Sequence, residues 1–589
     1  MKYTNLQEII YPSNNIDILL TNDLYFRINN DLAVQDNDEK KITLFKGGNL
    51  TTDTYFNSLS VGIWKKYTNI DTVYLKIKAK GKFKFKFMLH RLNKEHVILF
   101  SKVLEIENEL IIPLRFWKKI SEGMLYFSLV SLTDSEFYSA NYLTADTPIN
   151  DVKLGIVVTH FNRKDYVLPA MKRIQNELVN DIRYKSNIEL IVVDNSQNIT
   201  EDESEGATII PNLNLGGAGG FTRGLLYLKD NNFTNCLFMD DDASCEVESI
   251  RRTFALQQFT DVNKFAIAGA LLRELESYRM FEKGARFTGI CEPLKSNLDM
   301  RNIHDLLEAE EEEKIDYGGW WFFSFKISEI ENYAFPFFVR GDDSLFSLMN
   351  NFDICTMNGI ACWGDDFGFK HGVMQNYLDT RYHLVHGIQF LDYSPKNILK
   401  RNFLYFLNQL MGYNYSSAKA INLAFEHVLE GPEFWKKNMD MSNIFPILGQ
   451  ISKDEKLEKL DVSELDCSYG TAGESFFRKF VRKITLNGNI LPSFLYKNKI
   501  LFHEKSFGCD SRVIFRYKKV LYYYSPKKMG YIVEYNQKSF FRELIKNLEL
   551  SIKFYRNFHK IKKQYKDELP HLTSENFWRE VYSNKGDKK

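Results

Sequence analysis

The chain has 589 residues, with 77 Lys and Arg against 76 Asp and Glu, a formal net charge of +1. Its 44% hydrophobic and 26% charged residues exclude a disordered or collagen-like chain, and a length of roughly 100 to 200 residues per domain predicts two to four domains. The N-terminus lacks the basic flank and apolar run of a signal peptide, so we expect a cytosolic protein. Seven scattered cysteines without a C-x-x-C pair predict reduced thiols.

Residues 1–150 predict an N-terminal β-sandwich domain. In TVYLKIKAKGKFKFKFMLH (72–90), Phe83, Phe85 and Phe87 alternate with lysines. This period of two is typical of half-buried antiparallel strands. The segments ELIIPLRF and MLYFSLVSL predict two further strands of the same sheet-rich region.

Residues 151–395 predict an α/β catalytic domain. Near-continuous apolar runs at 153–161, 188–196 and 235–244 alternate with helical patterns, which is typical of a parallel sheet covered on both faces. Ligands of such sheets bind at the carboxyl ends of the strands. Arg163, Asp194 and the acidic triplet 240–242 would project there.

Residues 396–589 predict a mainly helical domain with one hairpin at LYYYSPKKMGYIVEY. Residues 501–589 carry 20 Lys and Arg against 10 Asp and Glu, a net charge of 20 − 10 = +10. The segment 538–565 places Phe541, Leu548 and Ile552 on one helical face beside several lysines. Contact with an anionic membrane surface and packing against the rest of the chain are equal alternatives for that face. No recognised nucleic-acid motif accompanies the charge, so we expect no nucleic-acid partner.

The segment NLNLGGAGGFTRGLLYL (212–228) predicts a glycine-rich loop that opens a helix. Its glycines would let backbone amides approach a ligand, and a helix N-terminus favours an anion. Arg223 could add a charged fork to phosphate oxygens. A purely structural turn is an equal alternative, and neither a P-loop nor a dinucleotide-binding pattern fits. The glycines concerned are Gly216, Gly217, Gly219 and Gly220.

Asp240, Asp241 and Asp242 follow the apolar strand CLFM directly. Three adjacent carboxylates repel one another without a cation, and alternate residues of an extended chain point the same way. Asp240 and Asp242 could therefore share one divalent ion, Mn²⁺ or Mg²⁺, opposite a diphosphate. The alternative is an acidic turn that caps the helix starting near Glu246.

Six motifs in this order resemble the bacterial galactofuranosyltransferases, which are inverting, family-two glycosyltransferases of the GT-A fold. The resemblance is dense over 151–390, and the β-rich start and helical end are also similar to that family's flanking domains. It implies an enzyme that transfers galactofuranose from UDP-galactofuranose to a polysaccharide or lipid-linked oligosaccharide of the cell surface. The motifs are T-H-F-N-R (159–163), V-V-D-N (192–195), N-L-G-G-A-G-G-F-T-R-G (214–224), F-M-D-D-D (238–242), Y-G-G-W-W (317–321) and F-V-R-G-D-D (338–343).

The resemblance also implies roles for the matching residues. Asp343 would be the base that takes the acceptor proton, and Asp342 would orient sugar hydroxyls. Asp240 with Asp242 would hold the metal. The donor contacts would be Arg163 and Asp194 at the uridine, Asp241, and the loop from Asn214 to Arg223 with its four glycines. The acceptor platform would be Trp320 and Trp321, although such a pair is more often part of a core.

One residue departs from the family pattern. Where the family has a histidine that completes the metal site, Gly364 follows Trp363 here. Substitute ligands could come from Asp365, Asp366, His371, His383 or His386, and otherwise we expect weak metal binding or none. Two alternatives of function stay open: the same fold with another UDP-sugar donor, and a glycan-binding protein with a degenerate transferase domain. A homo-oligomer also stays open.

Overall fold

The computed structural model describes residues 2–13, 18–29, 31–390 and 393–586. Its first region is rich in antiparallel strands, as predicted, with two short helices, α1 (Ile18–Thr21) and α2 (Val61–Tyr67). The strands are β1 (Thr4–Glu8), β2 (Arg27–Ile28), β3 (Ala33–Asp36), β4 (Lys41–Leu44), β5 (Asn49–Thr51), β6 (Leu59–Ser60), β7 (Tyr74–His90), β8 (Val97–Ile106), β9 (Glu109–Pro113), β10 (Met124–Ser131) and β11 (Ser135–Thr144).

Strand β7 organises this region because its two halves have different neighbours. Residues 74–80 pair with β9 and β11, whereas residues 81–90 pair with β8 and β10. Gly81, at the change of partners, has φ +129°, and a Cβ there would lie 2.1 Å from the Ser135 hydroxyl oxygen. Phe83, Phe85 and Phe87 are fully buried, and the lysines between them are exposed or half-buried. The predicted alternation is therefore confirmed.

The second region is α/β, as predicted. Its strands are β12 (Leu154–His160), β13 (Ile188–Asp194), β14 (Thr208–Pro211), β15 (Asn235–Asp240), β16 (Ser244–Cys245), β17 (Phe265–Ala268), β18 (Ala270–Arg273), β19 (Met280–Glu282), β20 (Ala285–Phe287), β21 (Cys291–Pro293), β22 (Phe323–Lys326), β23 (Asp353–Cys355) and β24 (Ala361–Gly364). Its helices are α3 (Lys164–Ile174), α4 (Gly216–Asp230), α5 (Val247–Phe259), α6 (Ile303–Glu310), α7 (Asp342–Asn350), α8 (Phe367–Lys370) and α9 (Val373–Gln389).

The main sheet of this region has the order β14-β13-β12-β15-β22-β17-β23. The first four strands are parallel, and β22 runs antiparallel between β15 and β17. The sheet is thus mixed rather than wholly parallel. Its three predicted strands, β12, β13 and β15, lie side by side, so their carboxyl ends meet at one edge.

The third region combines helices with a second sheet of order β25-β29-β28-β27-β26. The predicted hairpin is β28 and β29, but the sequence analysis missed the other three strands. The helices are α10 (Pro395–Met411), α11 (Tyr415–Leu429), α12 (Glu433–Lys437), α13 (Phe445–Ile451), α14 (Phe476–Ile484), α15 (Ser511–Ile514), α16 (Gln537–Leu572) and α17 (Glu575–Gly586). The strands are β25 (Glu458–Lys459), β26 (Cys467–Tyr469), β27 (Lys497–Glu504), β28 (Tyr517–Tyr524) and β29 (Met529–Glu534).

Helix α16 has two apolar faces. One face, with Phe540, Leu550 and Phe554, is buried, whereas Leu548 and Ile552 on the other are exposed. Packing thus covers a different stripe from the one that the sequence pattern singled out. Over the described part of the chain, no helix combines the length and the apolar character needed to cross a bilayer.

Hydrophobic cores run across the boundaries between the three regions. One continuous cluster joins the N-terminal strands to β12 and α5, and a second joins α4 to α11 and α16. The buried side chain of Arg252, in α5, forms hydrogen bonds to three separate segments of the chain. Its guanidinium donates to the carbonyl oxygens of Glu8 (3.1 Å), Phe56 (2.7 Å) and Gly359 (3.2 Å).

Candidate active site

A cleft of about 1000 Å³ opens at the carboxyl ends of the central parallel strands. The four predicted motifs that precede residue 250 all contribute to it, and so does the third region of the fold. Its walls come from the segments after β12 (Thr159, Phe161, Arg163), β13 (Asn195) and β15 (Asp240, Asp241), from the glycine loop (Leu213 to Gly217, Phe221), from Phe338 and Val339, and from Asp440, Ser442 and Phe445.

The glycine loop lines one wall of the cleft with residues 214–217. Its backbone lies against a second loop, residues 338–341. Helix α4 begins at Gly216, so that all four glycines of the motif lie within its first turns. Gly216 has φ +67°, and a Cβ there would lie 2.1 Å from the Phe338 carbonyl oxygen. The same carbonyl accepts the Ala218 N–H at 3.0 Å. Asn214 accepts the Gly216 N–H at 3.1 Å and also faces the cleft.

The later part of the glycine motif packs the helix instead of lining the cleft. A Cβ on Gly220 would lie 2.3 Å from Thr159 Cγ2, and one on Gly219 would lie 2.3 Å from Leu215 Cβ. The guanidinium of Arg223 lies over the ring of Tyr582, at 5.1 Å from its centroid. The geometry thus brings Asn214, Gly216 and Gly217 to the cleft, and it does not bring Gly219, Gly220 or Arg223 there.

The acidic triplet at the end of β15 is held by two basic side chains. Arg163 Nη1 lies 3.0 Å from Asp241 Oδ1 and 2.7 Å from Asp242 Oδ2. Lys370 Nζ, from α8, lies 3.0 Å from the same Asp242 oxygen. Asp241 also lies 3.4 Å from His160 Nδ1. Arg163 therefore contacts the triplet directly, whereas the sequence analysis placed it at the uridine.

Asp240 faces the cleft and, unlike Asp241 and Asp242, forms no ion pair with any residue that the structure describes. Burial, together with the neighbouring charges of Asp242 and Asp241, raises the pKa of Asp240 to about 8. Asp240 alone would suit a cation. Asp242, its predicted partner in metal binding, already pairs with Arg163 and Lys370 through one oxygen.

The predicted third ligands lie elsewhere. Asp365 pairs with Lys527 at 2.7 Å, and Asp366 pairs with Arg273 at 2.9 Å. Burial lowers the pKa of His371 and His383 to about 4, and His386 Nε2 lies 3.0 Å from Ser344 Oγ. Within the described ranges, no three His, Cys, Asp or Glu side chains converge as a metal site. As they stand, these residues do not fit a divalent ion, and the predicted ion stays a prediction of the resemblance.

The two candidate catalytic acids begin α7, against the glycine loop. A Cβ on Gly217 would lie 3.3 Å from Asp342 Oδ2. The preceding loop is strained: Phe338 has φ +75° and Arg340 has φ +66°, which non-glycine residues rarely adopt. Such strain is typical of loops that hold functional groups in a fixed geometry.

Asp342 and Asp343 differ in proton affinity. Burial and the charge of Asp343 raise the pKa of Asp342 well above its usual range. Burial raises the pKa of Asp343 only to about 6, because the Ser344 N–H, which donates at 2.6 Å, and the charge of Arg340 favour its ionised form. The surroundings of the pair thus favour the proton on Asp342 and the negative charge on Asp343.

Asp194, Trp320 and Trp321 lie outside the cleft. The Asp194 carboxylate accepts the backbone N–H groups of Ser196 (2.9 Å), Asn198 (2.7 Å) and Ile199 (2.9 Å), so that its neighbour Asn195 faces the cleft instead. Trp320 is buried among Phe221, Phe238 and Phe346. Trp321 is half-buried and donates to the Gly269 carbonyl oxygen at 3.0 Å.

Sequence reasoning missed three side chains of this site. Lys370 reaches Asp242 from 128 residues further along the chain. Asn195 was passed over in favour of the adjacent Asp194. Glu282, in β19, is buried, and its pKa is raised to about 8 by burial and by the charge of Asp343. The motif V-V-D-N could have indicated Asn195, but no local pattern indicates Lys370 or Glu282.

Comparisons with known proteins support the resemblance. Residues 6–145 match the family model described as Galactofuranosyltransferase 2 N-terminal. The galactofuranosyltransferase GlfT2 of Mycolicibacterium smegmatis is 22% identical over 442 residues, which are 68% of this chain and 66% of that protein. GlfT2 of Mycobacterium tuberculosis is 21% identical over 424 residues, 64% of this chain and 65% of that protein. The matches thus span just under two thirds of the relatives' own length.

Solved structures overlap with parts of the chain. The mannosyltransferase PcManGT of Pyrobaculum calidifontis, in complex with GDP-Man and Mn²⁺, has a TM-score of 0.29 and 14% identity, and the match covers 52% of this chain and 85% of that one. Glucosyl-3-phosphoglycerate synthase of Mycobacterium tuberculosis, in complex with Mn²⁺, UDP and phosphoglyceric acid, has a TM-score of 0.27 and 11% identity, and the match covers 40% and 76%.

Proposed function

We propose that this chain is an inverting GT-A glycosyltransferase that moves galactofuranose from UDP-galactofuranose to a hydroxyl of a cell-surface glycan, either a polysaccharide or a lipid-linked oligosaccharide. The observation that carries the proposal is the pair of unequal carboxyl groups at the start of α7, set against the glycine loop of the cleft. The similarity of residues 6–145 and of about two thirds of the chain to galactofuranosyltransferases supports the choice of donor.

In this proposal the donor lies in the cleft between the glycine loop and the acidic triplet. The backbone at Gly216 and Gly217 has room for diphosphate oxygens, and Arg163 adds positive charge at the same wall. Lys370 contacts the same oxygen of Asp242 as Arg163 does and adds a second positive charge. These side chains would stabilise UDP as negative charge develops on it.

Asp343 is the proposed base. The acceptor hydroxyl oxygen attacks the anomeric carbon in line, the bond from that carbon to the diphosphate oxygen breaks, and UDP leaves with the electron pair. The hydroxyl proton passes to the ionised Asp343. Asp342, which holds its own proton near neutral pH, would donate a hydrogen bond to a sugar hydroxyl.

The test compares donors. The full-length protein is incubated with a galactoside acceptor and either UDP-galactofuranose or UDP-galactopyranose, and UDP release and product mass are measured. We expect turnover with UDP-galactofuranose at least tenfold faster than with the pyranose. Faster turnover of another UDP-sugar would change the donor but keep the fold and mechanism.

The pairing of Asp242 with Lys370 favours one second candidate, a glycan-binding protein with a degenerate transferase domain. Such a protein would bind the galactoside without releasing UDP from any donor. The same assay, joined to a titration of the galactoside alone, separates the two functions.

A further inference from the structure

Two of the seven cysteines lie directly opposite each other across a pair of antiparallel strands. Cys245 in β16 is the register partner of Cys362 in β24, beside the pair formed by Ser244 and Trp363. Opposite residues of an antiparallel pair have Cα atoms about 4.5 to 5.5 Å apart. A disulfide bond spans Cα separations of about 4.4 to 6.8 Å. The register therefore holds these two cysteines at bonding separation without a movement of the backbone.

The two thiols also interact with each other inside the protein. Cys245 is 1% exposed, and Cys362 is fully buried. A hydrogen bond with the Cys362 thiol lowers the pKa of Cys245 despite its burial, and the charge of Arg173 acts in the same direction. Burial and the contact with Cys245 raise the pKa of Cys362 well above its ordinary value. One sulfur thus has thiolate character, and its neighbour keeps its proton.

Two other buried cysteines have apolar residues as register partners. Cys236 lies opposite Phe325 in β22, and Cys355 lies opposite Ile267 in β17. Burial raises the pKa of both thiols. A buried thiol of this kind is inert, because the thiolate is the reactive form. The surroundings of Cys245 differ in both respects, since they favour the thiolate and supply a second sulfur.

We propose that Cys245 and Cys362 form a peroxide-sensitive thiol pair, which hydrogen peroxide converts to a disulfide. The Cys245 thiolate attacks one peroxide oxygen, the O–O bond breaks, and hydroxide leaves, so that Cys245 becomes a sulfenic acid. The Cys362 sulfur then attacks the Cys245 sulfur, the S–O bond breaks, and the hydroxyl group leaves with the thiol proton as water. Two thiols and one peroxide thus give one disulfide and two waters.

Burial of the pair determines which oxidant can reach it. Neither sulfur is open to solvent, so an oxidant has to enter through a local opening of the fold. Hydrogen peroxide is uncharged and little larger than water, whereas glutathione disulfide is large and charged. We therefore expect peroxide to oxidise the pair and glutathione disulfide to leave it reduced.

The disulfide would join two segments that carry charged side chains of the cleft. Strand β16 begins two residues after Asp242, and β24 is followed by α8, which carries Lys370. These two side chains form an ion pair at 3.0 Å. A covalent bond between the segments would restrict the unfolded chain and thereby stabilise the folded one. The proposal does not depend on the proposed transfer reaction.

The test maps the cysteines of the full-length protein by mass spectrometry after alkylation, with and without hydrogen peroxide. We expect peroxide to link the peptides of Cys245 and Cys362 with a loss of two hydrogen atoms, about 2 Da. Dithiothreitol should restore both thiols. The melting temperature of the oxidised protein should be at least about 3 °C higher than that of the reduced protein.

Three variants separate the roles of the sulfurs. In Cys362→Ala, the oxidation of Cys245 should stop at a sulfenic acid, which dimedone traps. In Cys245→Ala, Cys362 should stay reduced. Cys355→Ala removes an equally buried thiol and is the matched control, in which the disulfide should still form. Thermal unfolding of each variant checks that it is folded.

Several outcomes would overturn the proposal. One is a wild-type protein in which both thiols stay free in peroxide, or in which Cys245 becomes a sulfinic acid without the linked peptide. Another is a mixed disulfide of either cysteine with glutathione. A melting temperature that is unchanged or lower after oxidation would show that the native strands do not accommodate the bond.

Discussion

At the residue scale, one proton distinguishes the two acids that begin α7. Asp342 has lost water contact and has a charged neighbour, so its neutral form is favoured. Asp343 is also buried, but the Ser344 N–H and the charge of Arg340 favour its ionised form. This difference in hydrogen bonding and nearby charge favours Asp343 as the proposed base within a pair that the sequence shows only as Asp-Asp.

The base assignment predicts the effect of removing one carboxylate. Asp343→Asn should lower turnover by about 10² to 10⁴, because the amide cannot accept the hydroxyl proton. UDP affinity should stay within about threefold of the wild type, since the donor wall is unchanged. Steady-state kinetics and calorimetric UDP titration measure the two quantities. Asp151→Asn, at an exposed position, is the control, and turnover retained in Asp343→Asn would remove Asp343 from the role of base.

The raised pKa of Asp343 predicts that turnover decreases on the acidic side of the pH profile. Because this pKa is raised to about 6, turnover should fall as the pH decreases through about 6, where the carboxylate becomes protonated. The charged or titratable groups that interact electrostatically with the Asp343 carboxyl group include Arg340, Asp342, Asp240 and Glu282. The profile of kcat/KM from about pH 5 to about pH 8 checks this. A limb that persists in the residual activity of Asp343→Asn would have another origin.

The position of Lys370 beside Asp242 predicts how removing its charge would change the affinity of the site for a metal ion. A divalent cation at Asp242 has to displace Lys370 Nζ, which lies 3.0 Å from the carboxylate. Lys370→Ala should therefore bind Mn²⁺ at least about fivefold more tightly than the wild type, because one of the two cations that compete for Asp242 is removed and only Arg163 remains. Isothermal titration with Mn²⁺ measures the affinity. The control is Lys264→Ala, which removes a surface lysine paired with Glu331, and equal Mn²⁺ affinities in all three proteins would contradict the competition.

At the scale of elements, the glycine loop and the 338–341 loop pack directly against each other. The carbonyl of Phe338 accepts the Ala218 N–H and leaves no room for a side chain on Gly216. The sequence predicted the glycine loop, its helix and the three strand ends, because hydrophobic period and glycine clusters are local signals. It could not predict that Arg223 lies over Tyr582, or that Trp320 is enclosed by phenylalanines, since distant contacts decide both.

This contact predicts a difference between two glycines with positive φ. Gly216→Ala places a Cβ 2.1 Å from the Phe338 carbonyl, whereas Gly206→Ala, at φ +85°, meets nothing within 4 Å. Both should lose about 1 kcal/mol of stability from the backbone conformation. Gly216→Ala should lose about 2 kcal/mol more and at least tenfold in turnover, because the 338–341 loop leads directly into the proposed catalytic pair. Thermal unfolding and kinetics measure this, and equal losses in both variants would contradict the steric argument.

At the scale of the whole molecule, several acids are buried where the regions meet. Glu455 accepts the N–H groups of Ser416 (2.7 Å) and Ser417 (3.1 Å) beneath α11. Burial nevertheless raises its pKa to about 7. Folded protein therefore holds this proton more tightly than the unfolded chain does.

The raised pKa of Glu455 predicts a pH-dependent effect of its removal. Its contribution to stability is greatest below its ordinary pKa and is lost as the pH rises through about 7. The melting temperature of Glu455→Gln relative to wild type should therefore increase from about pH 5 to about pH 8, by a few degrees, because glutamine has no proton to lose. Glu464→Gln, at an exposed position, should show no such trend. A difference that is constant with pH for Glu455→Gln would contradict the shift.

The contacts of Arg252 bear on whether the α/β region can be expressed without the N-terminal region. Its guanidinium donates hydrogen bonds to three carbonyl groups, those of Glu8 in β1, Phe56 before α2 and Gly359 before β24. A fragment beginning near residue 151 would keep the arginine, its ion pair with Glu248 and the Gly359 acceptor, but it would lose the carbonyl groups of Glu8 and Phe56. The β-rich start also shares one hydrophobic core with β12 and α5, so the α/β segment expressed by itself would expose that core to water and should give insoluble protein.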